Sequence, residues 1–135
     1  MEKWRKVWRE GIAPVLSDEA LQSLLSGLLA DDKTLIQGAT TSPPPLQCVE
    51  DWDCEAACAI GYGGWKGEGL RTAHDVEVYF AKKCFESDGR MGEPGVIRWF
   101  LNWFDDTPRA EMRREFIPEI TRELTQRKER KVEHV

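Results

Sequence analysis

With 135 residues and 24 acids against 19 bases, net charge −5, the chain lacks the overall excess of Lys and Arg that general nucleic-acid binding needs, although a local basic patch is compatible with it. At 41% hydrophobic and 32% charged it has the composition of a soluble domain, and one domain of this size buries roughly 68% of the surface its unfolded chain exposes. No apolar run reaches a membrane span, and the first residues, M-E-K-W-R-K-V-W-R-E, hold no uninterrupted apolar segment of the secretory kind, so a cytoplasmic location with reduced cysteines is expected.

Trp4, Val7 and Trp8 share one face of a short N-terminal helix whose other faces carry Lys3, Arg5, Lys6 and Arg9; Gly11 and Pro14 end it. A basic helix with a tryptophan face can lie on a membrane, but docking of the rings onto the domain itself is the commoner outcome. Ser17 reads as the N-cap of the next helix, with Asp18 and Glu19 in its first turn. Leu21, Leu24, Leu25, Leu28 and Leu29 then give the clearest amphipathic pattern in the chain, and Gly27 within it marks a place where another backbone can approach. Asp31 or Asp32 caps a turn holding Leu35 and Ile36.

Gly38 to Pro45, G-A-T-T-S-P-P-P, cannot continue a helix and is expected as an irregular loop reaching Leu46. Val49, Trp52, Ala56, Ala57, Ala59 and Ile60 predict a helix that starts near Cys48 to Asp51 and ends at Gly61. Gly61 to Gly69, with five glycines in nine residues, predicts a second irregular loop to Leu70, or a place of close backbone approach. Thr72 and Asp75 form a capping-box pattern for a helix with Val76, Tyr79, Phe80 and Cys84 on its buried stripe, followed by a polar loop from Ser87 to Gly92.

Val96 to Phe104, V-I-R-W-F-L-N-W-F, is apolar at seven of nine positions and is expected to be a central core helix, entered at Pro94 and exposing only the stripe of Arg98 and Asn102. Arg98 is expected to pair with Asp51, Asp53 or Asp105. Thr107 and Pro108 open the last helix, whose buried stripe is Met112, Phe116, Ile120 and Leu124. Pro118 predicts a kink or break in it, and residues 126–135 read as a frayed tail.

These elements predict an all-α fold, one domain of five or six helices over residues 1–135 packed around Val96 to Phe104, with two long irregular loops.

For chemistry the sequence offers less. The four cysteines, Cys48, Cys54, Cys58 and Cys84, are separated too irregularly for a paired zinc site, with only Cys54 and Cys58 one helical turn apart. His74, the only histidine outside the tail, sits in a helix first turn, where imidazolium is disfavoured. Neither a phosphate-cradling nor a dinucleotide glycine motif is present, and no G-x-S-x-G or H-E-x-x-H occurs. Acids, tryptophans and glycines coincide only between residues 50 and 69. The candidate ligand-binding residues are therefore Asp51, Trp52, Asp53, Trp65 and Glu68, with Arg98 as a possible counter-charge. The balance favours a non-enzymatic interaction or homo-oligomerising module, without catalytic residues, metal or cofactor, whose tryptophans furnish a contact surface for a protein partner or a second copy. A small-molecule site or enzyme at residues 50–69 is the alternative, and a thiol or zinc site is third.

Overall fold

The structure, a computed structural model, describes residues 1–42 and 52–133. Its α-helices are α1 (Lys3–Val7), α2 (Asp18–Ala30), α3 (Ala59–Tyr62), α4 (Ala73–Met91), α5 (Arg98–Asp106) and α6 (Arg109–Glu133), with a small two-stranded sheet, β1 (Thr41–Ser42) and β2 (Ala56–Ala57). The fold is mostly α. No helix among the described residues is long and apolar enough to cross a membrane.

The first helix forms as its pattern predicts and buries Trp4 and Val7. Gly11 does not end it: a π-helical turn, Trp8–Ile12, and a 3-10 turn, Ala13–Val15, carry the chain on and bury Trp8 and Ile12. The tryptophan face packs inward. Trp4 stacks on Trp103 with centroids 3.5 Å apart, Trp8 meets Phe116 edge-on at 4.7 Å, and Phe100 lies among them. Such ring pairs contribute roughly 0.5–1.5 kcal/mol each beyond their buried area.

Ser17 caps α2, its Oγ accepting from the Ala20 amide at 3.1 Å, and Leu21, Leu24 and Leu28 are fully buried while Leu29 faces water. The helix ends at Asp31 in the left-handed region (φ 51°). Arg109 of α6 closes that end: Nε donates to Asp31 Oδ1 at 2.6 Å, and its two Nη atoms donate to the Leu35 and Asp32 carbonyls at 2.7 Å. A cation bridging a helix C-terminus complements the carbonyl end of its dipole.

Between the loop and α4 the chain departs from the expected helix. Ala56–Ala57 is a strand, paired antiparallel with Thr41–Ser42, and Asp53 bridges Thr72. The alanines recur at positions that suit a helix, but Leu35, Thr41 and Thr72, distant in sequence, supply the partners that pull this segment into extended form. The expected start near Cys48 to Asp51 lies outside the described residues.

Nor is Gly61 to Gly69 wholly a loop. After α3 it forms a π-helical turn, Gly63–Gly67, laid against α2. A Cβ at Gly67 would sit 2.6 Å from the Ala20 Cα and the Glu19 carbonyl, so glycine is what permits this approach. Gly27 plays the same part toward the Tyr62 ring, 2.7 Å from the position of its missing Cβ. The close backbone approach expected in the glycine stretch is found at Gly67, whereas at Gly27 the neighbour is the Tyr62 side chain and not the backbone expected there.

Thr72 caps α4 through Asp75 N at 3.1 Å, and Val76 is buried, with Tyr79, Phe80 and Cys84 packed at the edge of the core. The helix runs to Met91, through the residues expected as a loop, and stops at Gly92 with φ 68°.

The core helix α5 starts two residues later than its apolar run. Val96 and Ile97 are buried in the turn before it, Phe100 and Phe104 within it. It is amphipathic rather than buried all round, since Trp99 is 56% exposed beside Arg98 and Asn102 on the outer side.

The last helix buries Met112, Phe116 and Ile120 as expected. Pro118 does not break it. The proline lies on the exposed side, where the Arg114 carbonyl that loses its amide partner can be solvated. Through residues 126–133, part of the expected tail, the chain is helical as far as Glu133, and Arg127 donates to Asp18 Oδ1, to the Ala13 and Leu16 carbonyls at 2.8 Å, and to Glu123 Oε1 at 3.1 Å.

Candidate functional site

The residues singled out between 50 and 69 are held by separate partners. Asp53 pairs with Arg71 at the surface, and the Trp52 carbonyl accepts from Ala73 N at 2.9 Å, which places both at the beginning of α4. Trp65 meets Tyr62 edge-on at 6.0 Å and carries the Lys66 ammonium over its ring at 4.0 Å. Glu68 accepts from Tyr79 Oη at 2.9 Å and Ser17 Oγ at 3.3 Å. Burial and then this hydrogen bond raise the Tyr79 pKa above the usual phenol range. Asp51 lies outside the described residues.

Arg98 is exposed and donates from Nε to the Gly95 carbonyl at 3.4 Å. It has no carboxylate partner among the described residues: Asp53 is taken by Arg71, and Asp105 accepts from the Gly38 amide at 2.9 Å. Being at the surface, Arg98 has no need of the buried counter-charge expected for it. Trp52 and Asp53 thus share one locality, while Trp65 with Glu68, and Arg98, belong to others. None of the five lines any of three clefts on the surface, of about 1320, 540 and 140 Å³.

Cys54 and Cys58 belong to the core and Cys84 packs at its edge. Cys54 and Cys58 are both buried and flank β2 rather than facing each other across a helical turn. Burial pushes the Cys58 thiol up to about 12, and burial followed by the Asp88 charge does the same to Cys84, the opposite of what a thiolate nucleophile requires. Among the described residues no group of three or more His, Cys, Asp and Glu side chains is placed to hold a metal ion. Cys48 lies outside them.

Tryptophan is mostly spent internally. Trp4 and Trp8 are buried and Trp103 is stacked on Trp4, which leaves Trp52 and Trp99 as the exposed pair, on different elements. The apolar surface that stands out is elsewhere, on the outer face of α4. Val78 is 54% and Phe85 81% exposed. They are seven residues apart, so they fall within about 20° of each other around the helix. His74, Ala81 and Gly89, all exposed, complete the stripe, with Asp75 and Lys82 along one edge. The other exposed large apolar side chains, such as Leu29, Trp99 and Val132, sit singly on separate elements. The signal was available in the sequence: Val78, Ala81 and Phe85 recur at helical spacing opposite Val76, Phe80 and Cys84, so α4 is apolar on two sides.

No protein-family model, no curated protein and no solved structure matches the chain.

Proposed function

We propose that this protein is a self-associating interaction module whose contact is the outer face of α4, with a second copy of the chain as the occupant. One observation carries the reading. Among the described residues, whose other large exposed apolar side chains are scattered, Phe85 and Val78 stand exposed on one stripe of a 19-residue helix. An isolated exposed apolar residue is ordinary, whereas a row of them on one helix face is what helix pairing uses.

Charge favours a second copy. Asp75 and Lys82 border the stripe seven residues apart and with opposite sign. Two α4 helices crossing antiparallel about an axis near Val78 set Asp75 of each copy beside Lys82 of the other, satisfying both pairs at once. In that register Phe85 of each copy comes level with the start of the other α4, where Trp52 is 45% exposed. Exposed ion pairs add little affinity, but they fix register and exclude wrong partners.

Sedimentation velocity across the micromolar range tests the reading. Wild type is expected to pass from monomer to dimer with rising concentration, and Phe85→Asp to remain monomeric. Phe85 makes no core contact, so the variant is expected to fold with stability within about 0.5 kcal/mol of wild type. A wild type that sediments as a monomer throughout, or a Phe85→Asp dimer of undiminished strength, would refute it.

A further inference from the structure

We infer that the cleft between the N-terminal segment and α6 is an anion site for a small ligand carrying two or more phosphate groups, with Arg90, Arg122 and Arg130 as its contacts. In a chain of net charge −5 the cleft's lining includes Arg9, Arg90, Arg122, Arg127, Arg130 and Lys131 against two carboxylates, Glu10 and Glu123. At about 1320 Å³ it has room for far more than one phosphate ion.

Part of this charge is already committed to holding the fold. Arg9 donates to Glu119 from Nε at 2.7 Å and Nη2 at 2.8 Å. Arg127 makes four hydrogen bonds, to Asp18, Glu123 and two carbonyls, and Lys131 also reaches Asp18, at 3.1 Å.

The remaining guanidiniums keep most of their donors open. Arg122 makes no hydrogen bond or ion pair among the described residues. Arg130, 58% exposed, has only Glu123 at 3.8 Å, beyond hydrogen-bond length. Arg90 uses Nε on the Glu10 carbonyl at 3.2 Å, which leaves both Nη atoms open. Arg122 and Arg130 lie four residues either side of Gln126 on α6, roughly 12 Å apart along its axis, and Arg90, from α4, lines the same cleft beside the Glu10 carbonyl. A guanidinium fork matches a phosphate bidentately, and three of them around one cleft suit a ligand with several phosphates.

The lining contains no aromatic ring on which a base could stack, which separates this site from a single-stranded nucleic-acid groove. It is also independent of the outer face of α4, so failure of one proposal leaves the other standing.

Calorimetric titration of the whole protein at low salt and neutral pH, with inorganic tripolyphosphate as the probe, is the test. Binding is expected at one site per chain, at least about tenfold tighter than orthophosphate, and weakened by about tenfold or more in Arg122→Glu. Arg114→Glu removes the same charge from an exposed α6 position outside the cleft, and is expected to leave binding within about twofold of wild type, since screening weakens distant charges. Absence of binding, equal losses in the two variants, or equally tight binding of polyglutamate would overturn the assignment.

Discussion

Glu119 ties the N-terminal segment to α6. Its side chain is 4% exposed and receives Arg5 Nη1 at 2.8 Å together with the two-pronged contact from Arg9. Burial alone would raise its pKa, but the hydrogen bonds from Arg9 and Arg5 outweigh that and hold it below the usual carboxylate range. A depressed carboxyl contributes stability that is fully present above its unfolded-state pKa and is lost as the pH falls through the lower folded value. Glu119→Gln is therefore expected to cost roughly 2–3 kcal/mol at neutral pH, the arginines being partly hydrated, and to shrink the loss of stability on acidification. Urea unfolding of both proteins at neutral pH and at about pH 3 measures this, and a gap that does not narrow in acid would contradict it. Asp31, held at about 2 by Lys33 and then Arg109, and Asp18, lowered by Arg127 and Lys131, extend the same acid sensitivity in both proteins.

At the scale of elements, the glycines separate two roles that look alike in the sequence. Gly67 lies where a Cβ would meet the Ala20 and Glu19 backbone at 2.6 Å, and backbone cannot rotate away. Gly67→Ala is expected to destabilise by about 1–3 kcal/mol, by forcing the π-helical turn off α2. Gly89 lies in α4 with open space, nothing within 4 Å, where a Cβ would stand, so Gly89→Ala is expected to stabilise by about 0.5–1 kcal/mol through helix propensity. Chemical denaturation of the two variants gives both signs, and a stable Gly67→Ala would mean that the turn does not need this contact.

What the sequence revealed of these elements follows from how local each signal is. Ser17 and Thr72 were readable as caps because each bonds an amide three residues on, and the stripes of α2 and α6 because helical burial repeats every turn. The Ala56–Ala57 strand was not, since Leu35, Thr41 and Thr72 decide it from elsewhere in the chain. At Gly63–Gly67 glycine propensity hid the helical turn but not the close approach, which is the contact made with Ala20 and Glu19. Pro118 misled because the penalty of a helical proline depends on whether the freed carbonyl is buried, which spacing does not show.

Over the whole molecule the same limit applies to function. Sequence neighbourhood joined Trp52, Asp53, Trp65 and Glu68, but folding gave each its own partner, Arg71 for Asp53 and Tyr79 with Ser17 for Glu68. The stripe of Val78, Ala81 and Phe85 was present in the pattern but overshadowed by the buried stripe on the same helix. Residues 126–135 read as a frayed tail, and basic residues of the last helix, Arg122 among them, line a cleft only once the N-terminal segment lies against them.

Self-association through α4 makes a prediction that a nonspecific apolar contact does not, because the register pairs Asp75 of each copy with Lys82 of the other. The most direct measurement is the dimer dissociation constant, by sedimentation equilibrium at low salt, for wild type, Asp75→Lys, Lys82→Asp and the double exchange. Each single reversal is expected to weaken the dimer severalfold by setting like charges together, and the double exchange to restore it toward wild type. Additive weakening in the double exchange, or four indistinguishable constants, would contradict the antiparallel pairing of α4.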